Sequence, residues 1–470
     1  MPKCVHLVVG HQGRDHVIHP LKFSLVSTPV ALPLAPLTTL ADGTIKQVNP
    51  FTGTEVWTVP GRGNRPISHP TPEEHPVTVH DRDHECAFCS ARYRETPPEK
   101  ARVVVDNNKW TTLYRLKESQ LDDSVAEFRR VPNLFEILGY EYWRANHGFA
   151  MDPETSTHMN DYLSEPAGRQ HVLNIIATRL RSAGTPESEI KDTPETELLK
   201  RAPAYFAGGH DVIVARRHFT DDATSSRQLA SSGTLTPEEH YQFINFTADA
   251  MRDLYSRNRY ARYVAVFQNW LKPAGASFDH LHKQLVAIDE RGAQAELEIA
   301  RLRSNPNMYN EWAVDYAGYH NLVIAENTHA IAFAGFGHRY PTIEIYSRSA
   351  TCEPWKLSEE EMRDMSDLIH ACHAATGSDV PCNEEWHHKP IDLDIPMPWR
   401  VMIKWRASNL AGFEGSTKVY LNTISPENIQ QRMSKRLSQL REEGRLADSV
   451  RIAGELTYRR NSLKYNPALR

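Results

Sequence analysis

Two imidazoles and an amide stand on alternate positions in His280-Leu-His282-Lys-Gln284, at the head of the apolar run Leu285-Val-Ala-Ile288. In a strand successive side chains point to opposite faces, so the three project the same way. Just upstream, Ala274-Gly275-Ala276-Ser277 reads as a small-residue turn whose backbone N–H groups can approach a phosphate closely. Imidazoles beside such a cradle suit phosphoryl or nucleotidyl transfer, in which a neutral ring nitrogen attacks phosphorus. With 23 histidines in 470 residues, an H-x-H pair also arises without catalytic use, as ordinary strand hydrogen bonding or an incidental metal contact.

A second constellation is Cys86-Ala-Phe-Cys89. A C-x-x-C pair serves redox chemistry or metal binding, and the strand-to-helix setting of a thioredoxin-like pair is missing around it. Zinc prefers a tetrahedral shell of thiolates and imidazoles, so a metal reading needs two further ligands.

The segment from Asn269 through Gly275-x-Ser277 to H-x-H-x-Q resembles the active-site pattern of the galactose-1-phosphate uridylyltransferase family, within the histidine-triad superfamily. Leu281 replaces the proline that the family carries between its histidines. Two more stretches resemble the family: Asn49-Pro-Phe-Thr-Gly53 followed by Arg62-Gly-Asn-Arg65-Pro, and Val131-Pro-Asn133-Leu-Phe. The resemblance implies His282 as nucleophile, Gln284 as amide donor to a phosphate oxygen, and Asn269, Gly275 and Ser277 as a phosphate cradle. It implies Asn133 beside the nucleoside, and Arg62 and Arg65 reaching phosphates across a homodimer. It also completes the metal shell, with His218 and His280 joining Cys86 and Cys89 around one structural zinc per chain.

What the resemblance implies for function is a nucleotidyltransferase moving an NMP group from an NDP-sugar-type donor, through a nucleotidyl-histidine, to a sugar phosphate. Phosphorolysis of nucleotide sugars or dinucleoside polyphosphates, with phosphate as acceptor, is the alternative; a zinc-stabilised nucleotide-binding protein without catalysis is the third reading. In the later half the family's W-x-L-H-x-H strand has become Trp399-Arg-Val-Met402-Ile-Lys404, and Gly412-Phe413-Glu414 stands in altered surroundings. A second metal is therefore not expected there, and galactose 1-phosphate is not supported as acceptor.

The elements that must position these residues are legible in part. Arg102–Val105, Trp110–Tyr114, Val212–Arg217, Thr342–Ser347 and Trp399–Trp405 read as strands. Helices begin at Thr236-Pro-Glu-Glu239 and Ser358-Glu-Glu-Glu361, both capping boxes, and at Ser425-Pro-Glu. The repeat of strand, capped helix and strand implies two related halves, and the resemblance implies an α+β, histidine-triad-like fold in which each half-domain is an antiparallel sheet with flanking helices. The division expected is an N-terminal extension over 1–45, a catalytic half with the zinc site over 46–290, a transferase-like half over 291–445 and a tail over 446–470. Residues 140–205, with one helix over His171–Arg181, read as an insertion.

Composition narrows the function classes. A net charge of −5 gives no basic face for a nucleic-acid backbone, so any nucleotide is a small ligand. The six cysteines, Cys4, Cys86, Cys89, Cys352, Cys372 and Cys382, do not form the framework of a small secreted protein. No apolar run reaches a membrane span and no signal peptide is read, so a cytoplasmic protein is expected.

Overall fold

A computed structural model describes residues 35–60, 74–406, 410–457 and 459–469. Twelve strands form one sheet: β1 (Ala101–Asp106), β2 (Lys109–Tyr114), β3 (Phe128–Pro132), β4 (His210–Ala215), β5 (Tyr263–Trp270), β6 (His282–Ile288), β7 (Val323–Glu326), β8 (Ala330–Ala334), β9 (Thr342–Ser347), β10 (Cys382–His387), β11 (Arg400–Trp405) and β12 (Arg451–Ile452). Their order is β12-β7-β8-β9-β11-β10-β5-β6-β4-β3-β1-β2, every pair antiparallel.

The order contains the same unit twice. β4, helix α1 (Pro237–Arg257), β5 and β6 recur as β9, helix α2 (Glu359–Thr376), β10 and β11. The two units meet where β5 pairs with β10, Gln268 lying opposite Glu384 at the middle of the ladder. Each half-sheet would otherwise expose an unpaired edge there, and joining them removes it. Counted outward from that central pair, Phe267 lies opposite Gln284, and its counterpart Asn383 lies opposite Lys404. Gln284 thus corresponds to Lys404, His282 to Met402 and His280 to Arg400.

Both long helices lie on one face. Their start sites are those read from sequence: the Thr236 and Ser358 side chains accept from the third helical N–H in complete capping boxes. A third helix, Pro426–Glu442, is capped by Ser425 and buries Ile429, Met433, Leu437 and Leu440. Leu281, Leu285 and Ala287 of the β6 segment point into this helix-covered core with Val401, Ile403 and Trp405 of β11. By the two-residue alternation of strands, His280, His282 and Gln284 must face the other side.

One charged contact crosses the core at the junction of the halves. Lys283 Nζ lies 2.6 Å from Glu384 Oε1, both side chains fully buried. His373 Nε2 donates to Glu384 at 2.7 Å and the Trp386 indole N–H at 2.5 Å. The pair therefore clamps the back of the strand that carries His282 to β10 of the opposite half.

A small second sheet of Leu37–Thr39, Ile45–Val48, Glu55–Thr58 and Val419–Leu421 links the start of the described chain to its later half. Its turn packs tightly there: Asn49 Nδ2 donates to Phe336 O, and Gly337, at φ +68°, comes against the Asn49 backbone. Residues 140–207 carry a run of helices, including Pro153–Ser164 and Pro166–Ser182, with their own core around Tyr162, Val172, Ile175 and Ile176. No helix among the described residues is long and apolar enough to cross a membrane.

Candidate active site and metal centre

His280 and His282 share a backbone but meet different surroundings. His280 is fully buried, and its Nε2–H donates to the Ala215 carbonyl at 2.7 Å. That bond commits the other nitrogen, Nδ1, as a lone-pair donor, and it lies 3.5 Å from Cys86 Sγ and 3.8 Å from Cys89 Sγ. His218, three residues beyond the end of β4, brings its Nδ1 to 3.5 Å from each sulfur, and the sulfurs are 3.9 Å apart. All four ligand atoms fall within 4.8 Å of one another.

This spacing is that of a tetrahedral shell. Metal distances of about 2.3 Å to sulfur and 2.0–2.1 Å to nitrogen give tetrahedron edges of about 3.8 Å for S···S and about 3.6 Å for S···N. The buried thiol pair divides its charge unequally. The hydrogen bond from Cys86 and the nearby imidazoles hold the Cys89 thiol well below its usual value, whereas the same contact and burial push Cys86 up. A Cys2His2 cluster of this geometry can hold a metal ion.

His282 stays outside that cluster. It is only 4% exposed, and its Nδ1 is tied to the His280 carbonyl at 2.7 Å. A carbonyl accepts only, so Nδ1 carries the proton and Nε2 keeps its lone pair. Among the described residues Nε2 has no hydrogen-bond partner. Burial pushes this imidazole down to about 4, which keeps it neutral at pH 7. Phe88, in the C-x-x-C loop, packs against the ring at 5.2 Å and against Phe278 at 4.7 Å. On the same face Phe88 covers Val131, Val212 and Val214, an apolar patch one and two strands away from His282.

On the other side of His282 the surface turns polar. Asn269 is the next same-face position on β5, and its Oδ1 accepts from Asn383 Nδ2 at 2.7 Å. The connection from β5 to β6 starts with Leu271 at φ +65° and turns at Gly275, φ +92°, whose missing side chain leaves it near Asn269 Nδ2. Ser277 is exposed in the same loop. A cleft of about 560 Å³, lined in part by Phe267, Asn269, Asn383, Glu385 and Arg406, continues this face across the junction into the second half. A cavity of about 290 Å³, lined by Arg130, Tyr205 and Asp253, lies on the opposite, helix-covered face, away from His282.

The structure therefore brings Asn133, Asn269, His282 and Gln284 onto one face of the sheet, beside Cys86, Cys89, His218 and His280, with Gly275 and Ser277 in the loop that joins β5 to β6. Arg62 and Arg65 lie outside the described residues. In the second half Arg400, at the place of His280, is buried against Glu298 and stacks on Tyr309. Asn383, Glu385 and Arg406 escaped the sequence reading, and so did a histidine beside Gln284. His210 opens β4, is 1% exposed, and lies 3.1 Å from Gln284 Oε1. Its only sequence signal is its place at the head of an apolar strand after Gly208-Gly209.

A family model described as Domain of unknown function (DUF4921) matches residues 40–465. Two curated proteins share parts of the sequence. Galactose-1-phosphate uridylyltransferase of Thermotoga maritima is 24% identical over 217 residues, 41% of this chain and 65% of that protein. ADP-glucose phosphorylase of Arabidopsis thaliana is 25% identical over 175 residues, 36% of this chain and 50% of that protein. The matched stretches thus span less than two thirds of either relative. The crystal structure of ADP-glucose phosphorylase from Arabidopsis thaliana with bound ADP-glucose has a TM-score of 0.52 at 18% identity, covering 83% of this chain and 97% of that one. A GalT-like protein from the same plant gives 0.51 at 16% identity, covering 83% and 98%. At these identities the likeness establishes the fold, a GalT-like, histidine-triad-type arrangement of two halves.

Proposed function

We propose a function for this chain, which belongs to the DUF4921 family, a domain of unknown function: it is a nucleotidyltransferase that works through a nucleotidyl-histidine at His282. The observation that carries this reading is the state of the His282 ring, neutral, tied at Nδ1 and, among the described residues, unbonded at Nε2. The similarity to a uridylyltransferase and to a nucleotide-sugar phosphorylase supports the reaction class.

In the first step the Nε2 lone pair attacks the α-phosphorus of an NDP-sugar-type donor. The P–N bond forms as the bond to the bridging oxygen breaks, and the sugar phosphate leaves with that electron pair. The Nδ1–H···O=C bond to His280 stabilises the positive charge the ring acquires. In the second step a phosphate oxygen of the acceptor attacks, the P–N bond breaks, and the neutral ring returns. Gln284 donates an amide hydrogen to a nonbridging oxygen, with Asn269, Ser277 and the Gly275 backbone completing the cradle. The nucleoside lies beside the Phe88 ring that covers the Val131, Val212 and Val214 patch, with Asn133 at its edge. Arg62 and Arg65, in a homodimer, reach the phosphates.

Zinc fits the cluster of Cys86, Cys89, His218 and His280 in donor type and spacing. Four protein ligands leave no open position, so its role is structural: it ties the C-x-x-C loop and the end of β4 to His280, and so sets where His282 points. The acceptor in this reading is a sugar phosphate. Phosphate as acceptor is the second reading, favoured by the likeness to ADP-glucose phosphorylase in both sequence and fold.

Incubation of the full chain with pooled UDP-, ADP- and GDP-sugars, followed by intact mass measurement, tests the proposal. A nucleotidyl increment that disappears in His282→Ala is expected. No increment with any of these donors argues for the binding role. Isotope exchange between labelled phosphate and the nucleotide sugar then separates phosphorolysis from transfer to a sugar phosphate.

A further inference from the structure

Gln284 has two orientations of its amide, and only one of them offers N–H to a phosphate at His282. The surrounding hydrogen bonds choose between them. His210 Nδ1 accepts the Ile137 backbone N–H at 3.2 Å. A nitrogen that accepts is unprotonated, so the neutral ring carries its proton on Nε2. Burial holds the ring in that neutral form, pushing it down to about 4. Nε2–H faces Gln284 Oε1 at 3.1 Å.

Asn133 acts on the same oxygen. Its Oδ1 is taken by the Phe135 N–H at 2.8 Å, which turns Nδ2 toward Gln284 Oε1 at 3.3 Å and brings it to 3.0 Å from His210 Nε2; with His210 Nδ1 already accepting from Ile137, both nitrogens are donors that share the one Gln284 acceptor. Two donors thus converge on Oε1, and the Gln284 NH2 is left to face the open side of the sheet. A flipped amide would set NH2 against both donors and lose both bonds. The Asn133 and Ile137 contributions come from one turn, which is pinned by the bond from Asn133 N–H to the His210 carbonyl at 2.8 Å.

We propose that His210 is a positioning residue for nucleotidyl transfer: its Nε2–H, with the tautomer dictated by the Ile137 amide, holds the Gln284 carbonyl inward so that the amide NH2 donates to the phosphate at His282. This rests on the nucleotidyl-histidine reading above. His210 touches neither substrate nor reacting atoms and acts only through Gln284.

The test is single-turnover formation of nucleotidyl-His282 in the full chain, with whichever NDP-glucose labels the wild type. His210→Phe keeps the ring shape without a donor. It is expected to slow labelling at saturating donor by about tenfold or more, the scale set by losing an aimed donor. The half-saturating donor concentration is expected to move by less than about threefold, because the interaction strengthens in the transition state. His210→Gln, with an N–H donor at the end of its chain, should recover most of the rate. In a Gln284→Ala background, His210→Phe should cost nothing further, since the two act as one unit.

An undiminished rate in His210→Phe, or additive losses in the double variant, overturns the proposal. So does nitrogen NMR of the wild type showing the proton of the 210 ring on Nδ1. A wild type that labels with no donor removes the nucleotidyl-histidine reading, and this proposal with it. A labelled wild type beside an unaffected His210→Phe removes the proposal alone.

Discussion

Lys283 sits between His282 and Gln284 and points the other way, into the core, where Glu384 is its only charged partner among the described residues. Replacing either member tests whether this pair holds the two halves in register. Glu384→Leu leaves the Lys283 ammonium with Gln268 Oε1 alone, at 3.0 Å, and strips the acceptor from the Trp386 and His373 N–H groups. Removing one partner of a buried pair costs about 3–5 kcal/mol, and each orphaned N–H adds roughly 1–3 kcal/mol. Lys283→Met is milder, at about 3 kcal/mol, because Glu384 keeps two N–H donors. The double variant carries no buried charge, so it should be more stable than Glu384→Leu alone. The expected departure from additivity is at least about 2 kcal/mol. Urea unfolding followed by circular dichroism measures all four corners of this cycle. Losses that add to within about 0.5 kcal/mol would refute the clamp.

Other perturbations have equally definite outcomes. Cys89→Ser or exhaustive chelation should abolish bound metal by elemental analysis and lower the melting temperature, because a closed Cys2His2 site contributes folding free energy directly; retention of one metal per chain would contradict the assigned shell. Burial pushes the Glu136 carboxyl up to about 7. Its folded value exceeds its unfolded one, so the stabilisation it gives is complete below about pH 4 and is lost as pH rises through about 7. Glu136→Gln should therefore flatten that decline and be more stable than wild type at pH 8 by about 3–4 kcal/mol, read from urea midpoints. Gly337→Ala would place a Cβ 2.1 Å from the Asn49 backbone nitrogen at a left-handed φ of +68°. It should destabilise by several kcal/mol, on the order of an overpacked, strained site, and a melting temperature equal to wild type would contradict the packing described.

What could be read from sequence was what is written locally. Thr236, Ser358 and Ser425 announce their helices because a cap and its partner lie within one turn. The alternation of His280, His282 and Gln284 with Leu281 and Leu285 gives the two faces of β6 outright. Cys382–His387 was missed as a strand because its inward residue Glu384 looks like a surface residue until Lys283, 101 positions away, supplies its partner. His210 was missed for the same kind of reason, since its meaning depends on the Ile137 N–H and on Gln284, 73 and 74 positions away. Within residues 140–205 only one helix stood out, because Val172, Ile175 and Ile176 form a clear stripe while the neighbouring helix Pro153–Ser164 buries only Thr155 and Tyr162.

The account turns on the Nε2 atom of His282, and trapping the intermediate examines it directly. Acid-free quenching after incubation with NDP-sugars, protease digestion and fragment mass analysis should place one nucleoside monophosphate on the peptide containing His282, and His282→Ala should carry none. A label on any other residue, or an unlabelled protein that still turns over donor, would contradict it.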